Sequence, residues 1–282
     1  MIEMLQYTFM QHALVVGVVL GLVIPLVGVI IVLKRLSMIG DALSHTSLAG
    51  VAAGLIAGIN PVLGAAFACL VGAFCIEGIR LKFREQSELA VAVVMATGIG
   101  FAGVLSGFVP NAASFSSFLF GSILTVSDLE VLAVLAVAAS AAAFCLVLYR
   151  ELFLMAFDER HARAAGVRNG VINALFVVII ALMVAVAART VGSLIVSSMM
   201  VVPVACALQV ARSWRQMYAV SALVGVSTTV AGIVVSYFFG LKPGGTIVLM
   251  AVALLLVILL AKAVLSRVRP VAGKDALPDR AA

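Results

Sequence analysis

Charge is scarce in this chain. Asp, Glu, Lys and Arg make up 11% of its 282 residues, where an ordinary globular domain carries about 25%. Hydrophobic residues take 65%, and the mean hydropathy is +1.28. So much apolar surface excludes a disordered chain, a disulfide-built secreted module and a soluble nucleic-acid binder, and it points to a bilayer. No P-loop pattern G-x-x-x-x-G-K-[ST] occurs, so the chain carries no ATP-hydrolysing site of that kind. H-E-x-x-H and G-x-S-x-G are missing too, and three histidines are few for a haem protein. The four cysteines, Cys69, Cys75, Cys145 and Cys206, form no C-x-x-C pair and read as small hydrophobes inside apolar runs. A signal peptide is not expected. The residues before position 9 include Glu3 and no Lys or Arg, and the apolar stretch 9–33 is too long for a signal h-region.

What remains is a row of long apolar stretches punctuated by charge. Residues 9–33, 131–149, 169–188, 190–211, 216–241 and 243–261 each lack Asp, Glu, Lys and Arg. Each is about the ~20 residues a membrane-crossing helix needs. The interval 42–76 is long enough for two shorter spans and breaks at Asn60-Pro61, a turn signal. Residues 89–108 form another span, ended by Pro110-Asn111, while 115–125 is apolar but too short to cross and reads as a re-entrant or surface segment. The expected fold is therefore an all-α polytopic membrane protein of about nine spans, with eight the alternative count. Residues 1–270 form one transmembrane domain with a polar cytoplasmic segment at 150–168, and 271–282 a short, disordered cytoplasmic tail.

Alternating these spans puts sixteen of the eighteen Lys and Arg residues on one side and only Arg189 and Lys242 on the other. The positive-inside bias makes the first side cytoplasmic, with the N-terminus outside and the C-terminus inside. It also accounts for the net charge of +6 without invoking nucleic acid. If 115–125 crossed, every later loop would invert and the bias would collapse.

Polar chemistry concentrates in two places. Asp41 and His45 are four apart at the start of the second span, so on a helix they share a face, with ~5–6 Å between Cβ atoms. A carboxylate and an imidazole so placed can close on one zinc, manganese or ferrous ion. The alternative is structural: Asp41 as a helix N-cap, with His45 donating to a carbonyl. Two donors cannot fill a metal's coordination shell, so such a site implies transit rather than storage. The other place is 157–167, an Ala-rich charged run ending in Gly166. It reads as a short helix that docks on a cytoplasmic partner, or as a solvated loop. Glu77 is expected to pair with Arg80, Asp128 and Glu130 to cap the fifth span, and Met199-Met200 to pack. The glycine runs 17/21/28 and 98/100/103 read as close helix contacts.

The segments Gly40-Asp41-Ala42-Leu43-Ser44-His45, Leu119-Phe120-Gly121-Ser122-Ile123-Leu124, Val202-Pro203-Val204-Ala205 and Gly244-Gly245-Thr246-Ile247-Val248, in that order, resemble the membrane permease subunit of bacterial ABC importers for zinc, manganese and iron. The resemblance runs along nearly the whole chain. It implies a homodimer of permeases in a bacterial inner (plasma) membrane, working with a pair of cytoplasmic ATPase subunits and an extracytoplasmic metal-binding protein. The chain itself would hold no permanent cofactor and would not be an enzyme. ATP would be used by the partner. Asp41 and His45 would be ligands on the translocation path. Asp158, Glu159, Arg160, His161, Ala162, Arg163, Ala164, Ala165 and Gly166 would form the coupling helix that seats on the ATPase. Family members often read F-D-P-E there, whereas this chain has Phe157-Asp158-Glu159-Arg160. Thr46-Ser47-Leu48-Ala49-Gly50 is more similar to zinc-type than to manganese-type members, which favours zinc as cargo. An ion-coupled secondary transporter is the rival reading.

Overall fold

The structure is a computed structural model. It describes residues 7–83, 87–110, 112–121 and 127–268, except the side chains of 112–114, 120, 194 and 265–268. The expectations for Arg84, for residues 122–124 and for the tail at 271–282 lie outside these described residues.

All regular structure among the described residues is helical. The chain runs α1 (Thr8–Leu33), α2 (Ile39–Ala57), α3 (Pro61–Lys82), α4 (Ser87–Ser106), α5 (Ala112–Phe120), α6 (Asp128–Val147), α7 (Tyr149–Phe157), α8 (Glu159–Ala164) and α9 (Asn169–Ala187). A π-helical turn at Ala188–Gly192 then leads into α10 (Ser193–Val210), α11 (Trp214–Phe239) and α12 (Pro243–Val268). Local chemistry sets several ends. Asn60 accepts from the Val62 N–H and Pro61 opens α3, while Ser127 and Glu130 form a reciprocal capping box at the start of α6.

Among the described residues, eight helices are long and apolar enough to cross a membrane: α1, α2, α3, α4, α6, α9 with the π turn, α11 and α12. This is the alternative count. The ninth expected span, 190–211, contains α10, whose apolar part, Ile195–Val210, is shorter. It nevertheless runs the length of α12. Gly244, at the start of α12, lies so near Val191 that a Cβ would stand 2.6 Å from its carbonyl oxygen. At the other end Lys262 Nζ donates to the Gln209 carbonyl at 3.3 Å and to its side-chain oxygen at 3.2 Å. The turn into α10 is made at Gly192, whose φ of 106° is a conformation that side chains other than hydrogen resist.

α1 and α2 are the most enclosed spans and α12 the least, with 67%, 67% and 11% of their apolar windows buried. The centre of the bundle is therefore α1, α2, α9 and α10. Phe67 on α3, Leu129 on α6 and Leu249 on α12 point outward, as lipid-facing side chains do. α5 stays at one end, against the π turn, with Phe118 buried beneath the Arg189 guanidinium, 4.9 Å from the ring centre. Its nine residues cannot span a bilayer.

The glycine pattern is only partly structural in the expected way. Gly17, Gly21, Gly28 and Gly98 are pressed against neighbouring helices, but Gly100 and Gly103 face open space. A further close crossing falls at Gly50 and Gly64, which the sequence does not single out. A Cβ on either would collide with the other's carbonyl oxygen, so α2 and α3 pack with their backbones nearly touching.

Ion pairs gather at the two ends of the bundle. At one, His12 meets Asp128 at 3.5 Å and Arg189 meets Glu130 at 3.0 Å. At the other, Lys34, Glu77, Arg80 and Glu159 cluster, and the expected Glu77–Arg80 pair forms at 3.3 Å. Glu130 caps α6 as expected, whereas Asp128 stands in the first turn of that helix and faces His12.

Candidate metal path and coupling segment

Asp41 stands in the first turn of α2, where the free N–H groups favour an anion. It does not cap the helix. Met38 occupies the cap position, and no side chain bonds there. The Asp41 carboxylate instead accepts a hydrogen bond from Ser197 Oγ of α10 at 3.5 Å. His45 lies one turn further along α2. Both side chains are half-buried, while Ala42, Leu43 and Ser44 between them point into the core. The hydroxyls of Ser44 and Thr46 are satisfied on their own helix, by the Gly40 and Ala42 carbonyls.

The neighbouring helices frame this face. Gly40 lies against Met200 and Ser197 of α10, and Gly98 of α4 lies against the backbone of His45 and Thr46. Met199 and Met200 are buried packing, as expected. A cleft of about 460 Å³ opens at the foot of α2, between the α1–α2 turn and α4, lined by Arg35, Met38, Glu88 and Met95 among others. Met38 is three residues before Asp41, so the cleft ends close to the donor pair. Among the described residues no three His, Cys, Asp or Glu side chains come together as a metal site. Asp41 and His45 thus offer one oxygen and one nitrogen donor, with no further His, Cys, Asp or Glu beside them among the described residues.

The 150–168 segment is more ordered than a loop. It holds two helices, α7 and α8, the first of which lies in a charge-punctuated stretch that offers no span signal. Asp158 caps α8, accepting from the Arg160 and His161 N–H groups at 2.7 and 3.3 Å and pairing with the His161 ring. These bonds, the His161 one foremost, hold its carboxyl below the usual carboxylate range. Gly166, at a φ of 85°, ends the turn. Arg160, His161, Arg163, Ala164, Ala165 and Gly166 are exposed, making a cationic outer face. Ala162 is fully buried, and Glu159 turns inward to Lys34 and Arg80, so neither belongs to that outer face. Burial alone would raise the Glu159 carboxyl, but Lys34, and Arg80 after it, outweigh this and hold it low.

Sequence reasoning missed Ser197 and Lys34 as parts of these sites. Lys34 counts in the sequence only as one positive charge after α1. Its partners Glu159 and Asn173 lie 125 and 139 positions away, and no local pattern announces them.

Residues 6–262 match the ABC 3 transport family. A Treponema pallidum protein, named "Probable metal transport system membrane protein", is 36% identical over 256 residues, covering 91% of this chain and 96% of that one. ScaB of Streptococcus gordonii, named a manganese import system permease protein, is 29% identical over 251 residues, 89% of this chain and 90% of its own length. Among solved structures, PsaBC from Streptococcus pneumoniae in complex with Fab superposes with a TM-score of 0.81 at 30% identity, covering 91% of this chain and 93% of that one. The chain belongs to the ABC 3 transport family. It is a membrane permease of metal-ion ABC import, a multi-pass protein of the bacterial inner membrane, and not itself the ATPase.

Proposed function

We propose that this permease works as a homodimer in which Asp41 and His45 of both protomers close on one first-row divalent metal ion. The observation that carries the reading is the half-buried, incomplete donor pair between α10 and α4. It offers two ligands from one chain, and a second copy supplies the rest of a four-ligand shell. An extracytoplasmic metal-binding protein delivers the ion from the Arg189/Lys242 side, and a cytoplasmic ATPase pair docks on the exposed cationic face of α8. ATP-driven movement there opens the path inward, towards the cleft at the foot of α2. In this orientation the N-terminus lies outside and the C-terminus inside.

The cargo is zinc or manganese. Oxygen-plus-imidazole donors suit both. Residues 46–50 favour zinc, and the printed name of the ScaB relative favours manganese.

The test is uptake by proteoliposomes holding the permease and its ATPase, supplied with binding protein loaded with zinc or with manganese. Asp41→Ala and His45→Ala are expected to assemble normally and to abolish uptake. Normal uptake in both variants would falsify the ligand assignment. Uptake persisting without any ATPase subunit would instead favour the secondary-transporter reading. Competition of the two metals in the same vesicles decides the cargo.

A further inference from the structure

The inner face of α8 carries the buried Ala162 and one charged side chain, Glu159, that pairs with other helices. Glu159 Oε1 accepts from Lys34 Nζ at 3.1 Å and lies 3.5 Å from Arg80 Nη2, while the Glu159 carbonyl accepts from Asn169 Nδ2 at 2.7 Å. The Lys34 side chain is 4% exposed and also donates to Asn173 at 2.6 Å. Burial lowers its pKa, and Glu159 opposes that shift.

Lys34 is not simply a residue near α8. It is the C-cap of α1, and the next residue, Arg35, has a φ of 58° and is the one non-glycine residue with positive φ among those described. A short turn then leads directly into α2, which carries Asp41 in its first turn. Arg80 gives a second tie, from the end of α3, and α3 is locked to α2 at Gly50 and Gly64. Both cations that hold Glu159 therefore lead to the helix that carries the metal donors. The outer face of the same six-residue helix carries exposed Arg160, His161 and Arg163.

We infer that Glu159 is the positioning residue through which movement of α8 reaches α2, by way of Lys34 and the α1–α2 turn and, secondarily, Arg80. This rests on the importer reading above. A charge pair whose cation is buried suits the task because Lys34, 4% exposed, cannot turn to water without losing its partners, so displacement of the half-buried Glu159 is passed on to it. The simpler view of the same contacts, a fastening that only keeps α8 folded in place, makes a different prediction.

The experiment measures metal ions transported per ATP hydrolysed by the reconstituted permease–ATPase complex, using Glu159→Gln, Lys34→Gln and the charge-conserving Lys34→Arg. Both Gln variants are expected to assemble with the ATPase and hydrolyse ATP while the transport ratio falls by about tenfold, the order seen when a coupling contact is lost. Lys34→Arg should stay near the wild-type ratio. A wild-type ratio in both Gln variants would overturn the inference, and so would failure of both to assemble, which would make the contact a fastening only. If the wild-type chain itself binds no ATPase, the importer reading fails instead.

Discussion

Asp41 is the only acid in the first turn of α2, and Ser197 is the neighbour that reaches its carboxylate. With Asp41 the proposed ligand, a hydroxyl in that position would orient its carboxylate, and losing such a partner typically costs 10–100-fold in affinity. Ser197→Ala should therefore raise the metal concentration for half-maximal uptake by about tenfold while leaving the maximal rate near wild type. Transport kinetics in proteoliposomes would check this, and an unchanged half-saturation point would remove Ser197 from the site. At this scale the sequence is informative only over short distances. Asp41 and His45 are legible because one helical turn brings them together. Ser197 stands 156 positions from Asp41 and is joined to it by the crossing of α10 over α2, which no spacing encodes.

The α2–α3 hairpin shows what decides packing between elements. Both helices are apolar, yet their approach is limited by backbone at Gly50 and Gly64, with Ala68 Cβ 2.6 Å from where a Gly50 side chain would begin. Gly50→Val should destabilise the detergent-solubilised protein by about 1–3 kcal/mol, the usual cost of overpacking. Gly100→Ala, on the open face of α4, should leave the melting temperature unchanged or slightly raise it, since Ala is the better helix former. Thermal unfolding of the two variants separates a glycine that permits contact from one that merely fits a small-residue pattern. Most elements were legible for a simple reason: a continuous uncharged, apolar stretch of about 20 residues satisfies its own backbone in lipid only as a helix, since barrel strands are shorter and alternate apolar with polar residues. α7 was not legible, since it sits in a charged interval without a span signal. The shortness of α10 was hidden for the opposite reason. Arg189 lies inside the π turn, but the break at Gly192 falls three residues beyond it, within the uncharged run 190–211, so the charge marks the wrong place.

α8 adds a pH dependence at the same scale. Asp158 and Glu159 both have carboxyl pKa values lowered in the folded chain, so their contribution is fully present above the ordinary carboxylate range and is lost only as pH falls through the lowered values. Association of the permease with its ATPase should accordingly be flat from neutrality down to about pH 5 as far as these two groups are concerned. Binding measured across that range checks it. A loss of binding within that range would overturn it.

Across the whole molecule, the two clusters of ion pairs define two ends. The end with Lys34, Arg80 and Glu159 also holds α8, and the proposed orientation, argued from the positive-inside rule, turns it to the cytoplasm. This orientation can be read chemically because the native thiols interfere little. Cys69, Cys145 and Cys206 are buried, and only Cys75 is exposed, on α3. In a Cys75→Ser background, Arg212→Cys and Lys242→Cys place single exposed thiols at opposite ends of α11. A membrane-impermeant maleimide applied to right-side-out vesicles should label Lys242→Cys and spare Arg212→Cys until the membrane is permeabilised. The reverse pattern would turn the molecule over and put α8 on the outside, where no cytoplasmic ATPase can reach it. The coupling inference would then fail together with the inward direction of transport. Labelling of both before permeabilisation would mean that α11 does not cross. The parallel course of α10 and α12, which depends on α11 returning the chain, would fall with it.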